Sequence, residues 1–225
     1  MNNQRSWCIM EELRSDILFH NFPNLANNKG TPRLPHNSVW DILNPDYENS
    51  LKNQLMELVK DEENHIFIDE TANVSDDVTI EGPAYIGPEA EIRPGAYIRP
   101  FSWICEKAVV GHCSEIKHSI LLPGAKAPHF NYVGDSILGT GVNLGAGCKL
   151  ANVRHDGENV ILRNGVTGEK IQDSGLQKFG AILGDSVKIG CNVVTNPGVI
   201  LGAKSKVWPN VTVSGIHPGN STIKD

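Results

Sequence analysis

Aliphatic residues recur at every sixth position through the middle of the chain: Ile68, Val74, Ile80, Ile86, Ile92, Ile98, Ile104, Val110, Ile116 and Leu122. Four residues after most of them stands a small or β-branched residue, as in Ala72, Val78, Ala84, Ala90, Ala96, Ser102, Ala108 and Ser114. The phase returns in Leu138, Leu144 and Leu150, and again in Leu183, Ile189, Thr195, Leu201, Val207 and Val213. A period of six fits neither the turn of an α-helix nor the long strands of a sandwich. It fits a short strand and a tight turn, repeated. Three such units close a triangular coil of about 18 residues, with the aliphatic side chain inside the prism and Gly, Asn and Asp supplying the corners. Residues 66–216 are therefore predicted to form an all-β parallel β-helix of about six coils.

The period fails twice, and interruptions of a solenoid are where loops can carry function. No Ile, Leu or Val falls in phase between Leu122 and Val133, so PGAKAPHFNY is predicted to bulge outward near 123–132 with His129 and Tyr132 on it. Between 154 and 179, VILRNGVTGEKI alternates about Asn164–Gly165, which predicts a protruding hairpin. Residues 1–65 read differently. Leu51, Leu55, Leu58 and Val59 share one helical face, predicting a helix over 50–62, with a short helical turn at 38–43 and a loop from Asn21 to Pro35. Such a segment is expected to be a small helical cap over the open end of the first coil. Residues 217–225 read as a tail.

Composition narrows the function classes. With 22 Gly, 13 Pro and 6% aromatic residues the chain does not read as a helical bundle. A net charge of −6 gives no overall positive field, so neither nucleic acid nor membrane is an expected partner. The five cysteines, Cys8, Cys105, Cys113, Cys148 and Cys191, are odd in number and lack a CxxC pair, which fits reduced core residues and no metal site. The N-terminus meets acidic residues before any signal-length apolar run, and the expected location is cytoplasmic.

Register supplies the first chemistry. Arg99 and Lys117 are one full coil apart and each follows an in-phase Ile, so both leave one face about 4.8 Å apart along the axis. Stacked cations repel. Either a phosphate sits between them, or they form a solvated ladder paired with Glu91 or Glu115.

Residues 115–152, EIKHSILLPGAKAPHFNYVGDSILGTGVNLGAGCKLAN, resemble the acetyltransferase domain of the bifunctional enzymes that acetylate glucosamine-1-phosphate and then make UDP-N-acetylglucosamine. The shared elements are E-I-K, His129-x-x-Tyr132-Val-Gly-Asp, Gly-x-x-Val-Asn143-Leu-Gly-Ala-Gly and Asn152. A closer likeness is to the C-terminal domains of archaeal-type sugar-1-phosphate nucleotidylyltransferases with acetyltransferase activity, which share the hairpin interruption and a following string read here as GLQKFGAILGD, Gly175–Asp185. The likeness covers roughly residues 66–213 and omits a nucleotidylyltransferase domain.

This resemblance implies a single-stranded left-handed β-helix that assembles as a homotrimer with active sites between subunits. It implies acetyl-CoA as co-substrate and an amino-sugar 1-phosphate as acceptor. His129 is implied as general base, Arg99 and Lys117 as phosphate ligands, and Tyr132, Asn143 and Asn152 as further substrate contacts. The Ala146 N–H is implied to polarise the thioester. Two departures stand out. The lysine expected six residues after Asn152 is Glu158, and Lys178 beyond the hairpin is the alternative bearer of that role. The coenzyme contacts fall on Cys191 and Pro209, where the family has serine and alanine. Two other readings stay open: an oligomerising or regulatory subunit of a nucleotidylyltransferase, and a non-catalytic sugar-phosphate-binding scaffold.

Overall fold

The computed structural model describes residues 13–20 and 30–224. From Ile66 to Ile223 the chain winds as a left-handed parallel β-helix with three faces. The first face holds eight strands, from Ile66–Ile68 to Ile216–His217, and the second eight, from Asn73–Val74 to Thr222–Ile223. The third holds seven, from Thr79–Ile80 to Thr212–Val213. In-phase residues pair through the early coils, Ile86 on Ile104, Ile92 on Val110 and Ile98 on Ile116, and fill the prism with fully buried side chains. Each such aliphatic residue contributes about 1.5–3 kcal/mol of burial, which is what makes the six-residue period obligatory. The helix is longer than the sequence predicts, because strands continue through residues 217–223, which read as a tail.

The expected outward bulge at 123–132 is absent. Leu121 rather than Leu122 pairs with Ile104, Ala127 with Val110 and Val133 with Ile116, so this coil advances 17 residues instead of 18 and continues without a break. Lys126–His129 is a strand of the second face. Leu122 instead belongs to the apolar layer outside the prism. The gap in the pattern arises because Ala127 is too small to register as aliphatic and because one corner lost a residue. The same shortening recurs one coil later, where Leu138 pairs with Leu121. The two tightened corners are occupied by His118 and Asp135, both in left-handed backbone with φ of 44° and 47°.

The outer side of the first face is apolar: Tyr85, Trp103, Ile120, Ile137, Ile182, Ile200 and Ile216. Two segments cover it. The N-terminal residues contribute Leu18, Phe19, Trp40, Leu43, Leu51 and Leu55 to this layer, using short helices at Ser15–Leu18, Val39–Leu43 and Leu51–Leu58, the last capped by Ser50 Oγ on Asn53 N at 3.2 Å. They lie along a face rather than over the open end, and Ile68 in the first strand is exposed. The expected hairpin forms, Ile161–Arg163 against Lys170–Asp173. It does not stand free: Val160, Leu162, Leu176 and Phe179 fold down onto the same layer, and Gly165 N donates to Ile216 O at 2.9 Å. Without this cover Tyr85, Trp103, Ile120, Ile137, Ile182 and Ile200 would form one contiguous apolar patch in solvent. Among the described residues no helix is long and apolar enough to cross a membrane.

Candidate active site

The third face carries the sequence-predicted groups along its two edges. At the edge leading into the covered first face, successive coils present Arg99, Lys117, Asp135 and Asn152. Asp135 is the hub: its carboxylate, with the side chain 4% exposed, accepts from Lys117 Nζ at 3.1 Å, from His118 Nδ1 at 2.8 Å and from Asn152 Nδ2. An ionised carboxylate only accepts, so His118 carries its proton on Nδ1. Burial alone raises the Asp135 pKa; the hydrogen bonds from His118 and Asn152 and the charges of His118 and Lys117 outweigh it and hold the group below its ordinary value. Gly134 permits this closure, since a Cβ there would lie 2.5 Å from the Tyr132 hydroxyl and 3.0 Å from Asn152 Nδ2. Burial and the nearby charges of Asp135 and Glu115 push the Tyr132 phenol up.

Arg99 Nη1 donates to Glu115 Oε1 at 2.8 Å, while Arg99 Nε is buried without a hydrogen-bond partner. The stacked cations thus have carboxylate partners, Glu115 for Arg99 and Asp135 for Lys117, and their mutual repulsion no longer demands an anion. Beside them opens a cavity of about 610 Å³. Its walls are the helix corner with Arg99, Phe101, Lys117 and His118, the N-terminal residues Leu43–Asp46, and the return of the hairpin, Gly175–Lys178. Lys178 is brought there by its backbone bridge to Val153.

The opposite edge, between the second and third faces, is open. His129 ends its strand with an exposed ring; its N–H donates to Asn131 Oδ1 at 3.0 Å and its carbonyl accepts from Gly147 N at 3.0 Å. Buried Asn131 pins the corner by accepting there and donating to Gly145 O at 2.8 Å. Below His129 the turns stack in a column: Ala146 O accepts from Asn192 N, and Cys191 O from Asn210 N, beside Pro209. Trp208 is half exposed there with Lys224 Nζ 4.8 Å from its ring centre. Asn143 joins neither group, since it lies on the second face between Lys126 and Lys188.

Sequence reasoning missed His118 and Asp135 as members of the site. Their signal was available, because they mark the two five-residue steps in a six-residue rhythm. Cys105 and Cys148 are buried and Cys113 and Cys191 exposed, while Cys8 lies outside the described residues. Burial pushes the Cys148 thiol up to about 11. Among the described residues no group of three or more His, Cys, Asp and Glu side chains could hold a metal ion.

A regular three-faced helix of hexapeptide coils, with a cavity at one edge and an exposed histidine at the other, defines a hexapeptide-repeat protein of the left-handed β-helix class. Within that class the chain belongs to the family described as the GMPPB C-terminal domain, whose model matches residues 80–206. It is 37% identical over 170 residues to a bifunctional sugar-1-phosphate nucleotidylyltransferase/acetyltransferase of Sulfurisphaera tokodaii, covering 68% of this chain and 42% of that protein. It is 44% identical over 124 residues to the bifunctional protein GlmU of Methanococcus vannielii, covering 55% of this chain and 29% of that protein. The chain therefore spans less than half the length of these relatives. Among solved structures, the acetyltransferase domain of PglB from Neisseria gonorrhoeae superposes with a TM-score of 0.38 at 12% identity, over 80% of this chain and 71% of that one.

Proposed function

We propose that this protein is an acetyl-CoA-dependent N-acetyltransferase acting on an amino-sugar 1-phosphate, glucosamine-1-phosphate foremost, in the cytoplasm. One observation carries the reading: a single face bears a cationic, hydrogen-bonding edge around Asp135 and, a strand's length away, an edge headed by His129 with Ala146, Cys191 and Pro209 in column below it. Arg99, Lys117 and Lys178 hold the phosphate, with Tyr132 and Asn152 contacting the substrate; to do so the two cations exchange their carboxylate partners for it. His129, as a neutral imidazole, takes one proton from the sugar ammonium. The freed nitrogen attacks the thioester carbonyl, which the Ala146 N–H polarises. As the tetrahedral adduct collapses the C–S bond breaks, the nitrogen gives up its second proton, and coenzyme A leaves as the thiol. The assembly is a homotrimer with sites between copies, as the family resemblance implies, and in it Asn143 on the second face serves a neighbouring subunit.

The carboxylate pairing of Arg99 and Lys117 favours a second reading, an oligomerising or sugar-phosphate-binding β-helix subunit without turnover. A thiol-release assay separates the two. With acetyl-CoA, release is expected with glucosamine-1-phosphate, less with glucosamine and none with glucose-1-phosphate. No release with either glucosamine-1-phosphate or galactosamine-1-phosphate would leave the second reading.

A further inference from the structure

Lys117 and His118 are consecutive, and both end on the single carboxylate of Asp135. One carboxylate neutralises one cation. With His118 neutral, Lys117 and Asp135 sum to no charge; with His118 protonated, the trio carries +1 at the wall of the 610 Å³ cavity that His118, Lys117 and Asp135 all line. Since Nδ1 is committed to Asp135, Nε2 is the nitrogen left for a guest, and the ring meets Phe101 in a perpendicular arrangement at 6.0 Å between centres. The other charged groups on this cavity are Arg99, itself paired with Glu115, Lys178 from the hairpin return, and Asp46 from the N-terminal segment. Cations exceed carboxylates once His118 is protonated. A cavity of this size takes a whole small organic ligand rather than an inorganic ion alone.

We propose that His118, held by Asp135, is a phosphate-binding residue of this cavity, donating from Nε2 to an organic phosphate alongside Lys117 and Lys178. The inference rests on the sugar-phosphate class named above and not on acetyl transfer. It gives the N-terminal segment a part as well. Asn44–Asp46 wall the same cavity and lie outside residues 80–206 that the family model matches, so the end of the ligand away from the phosphate is read by the N-terminal segment. Donation from both ring nitrogens at once requires the doubly protonated ring, so binding through Nε2 takes up a proton wherever the free ring is neutral. The phosphate itself loses charge below about pH 6, in the opposite sense, so the histidine's share is isolated by comparing variants at each pH.

The test is titration calorimetry of glucosamine-1-phosphate and glucose-1-phosphate at pH 6 and pH 8, on the full chain and on His118→Asn and Gln177→Trp. His118→Asn is expected to weaken both sugar phosphates about tenfold at pH 6 and to stay within about twofold at pH 8, with acetyl-CoA affinity unchanged. Gln177→Trp, which puts bulk into the cavity from the exposed hairpin return, is expected to weaken both ligands at both pH values. The proposal is overturned if correctly folded His118→Asn matches the parent at pH 6. An equal loss at both pH values also overturns it, since the ring would then only prop Lys117, and so does full affinity in Gln177→Trp or no binding by the parent. Tight, pH-dependent binding without thiol release would remove the acetyltransferase reading and leave this one; acetyl transfer with His118→Asn affinities unchanged would do the reverse.

Discussion

The two edges of the third face are built on opposite plans. One is closed and paired: Asp135 is buried, three donors converge on it, and the N-terminal segment and hairpin return wall a cavity beside it. The other is open: His129 is exposed, Trp208 is half exposed, and the hydrogen bonds that order it run from turn to turn along the axis. One edge is thus walled by segments of its own chain, while the other presents its histidine outward. Preorganised charge belongs where a ligand must be held; an exposed imidazole belongs where a second molecule arrives.

The closed edge should be the more fragile. Removing the hub by Asp135→Ala leaves Lys117 and Asn152 without their shared acceptor in a buried setting, and a broken buried pair typically costs about 3–5 kcal/mol. Thermal and urea unfolding should show a loss of that order. A loss under 1 kcal/mol would mean that water satisfies these groups and the edge is not closed. At the open edge the expectation inverts: His129→Ala should leave the melting temperature in place yet lower kcat by about 10²-fold or more, the usual share of general-base assistance. Unchanged kcat would take His129 out of the mechanism.

The same contrast explains what could be read without a structure. The hexad was legible because most in-phase interior positions are filled by a branched aliphatic side chain, and Arg99 over Lys117 was legible because the coil length fixes which residues stack. Leu121–Leu122 defeated the phase, since two adjacent leucines serve two layers and Ala127 is a small interior residue. The place of the N-terminal segment was encoded in the apolar residues just before the hexad positions, Trp103, Ile120, Ile137, Ile182 and Ile200, which point away from the prism and require cover. What spacing could not supply was pairing. Glu115 was an open partner for Arg99, and Asp135 looked like one letter of a shared string because its partners meet only when two corners tighten.

A smaller effect sharpens the division of labour. Arg99→Ala removes a cation already shared with Glu115, so the loss on binding phosphate is the difference between two partners rather than a whole ion pair. KM for glucosamine-1-phosphate should rise about tenfold, while KM for acetyl-CoA stays within a factor of about three. The comparison substrate is glucosamine, which lacks phosphate; its slow rate should hardly change. Equal losses with both sugars, or a loss confined to acetyl-CoA, would show that the cationic edge does not clamp phosphate.

The smallest expected effect lies in the acid limb of stability, and it again distinguishes the edges. The Asp135 carboxyl is held below its ordinary value of 3.8 in the folded chain, so the folded state releases this proton more readily than the unfolded one. A depressed folded pKa contributes stability that is fully present above the unfolded value and is lost as pH falls through the folded value. The window is thus below about pH 4, where Lys117, His118 and Asn152 would face a protonated carboxyl. Asp135→Asn keeps the size of the group and removes the titration, so its unfolding free energy should fall less steeply than the parent's between pH 4 and pH 2. His129→Ala, at the open edge, should follow the parent's slope, because its exposed side chain gives up no carboxylate pairing when replaced. Parallel slopes for the parent and Asp135→Asn would mean that the hub gains nothing from its charge, and the contrast between a charged, closed edge and a bare, open one would reduce to packing.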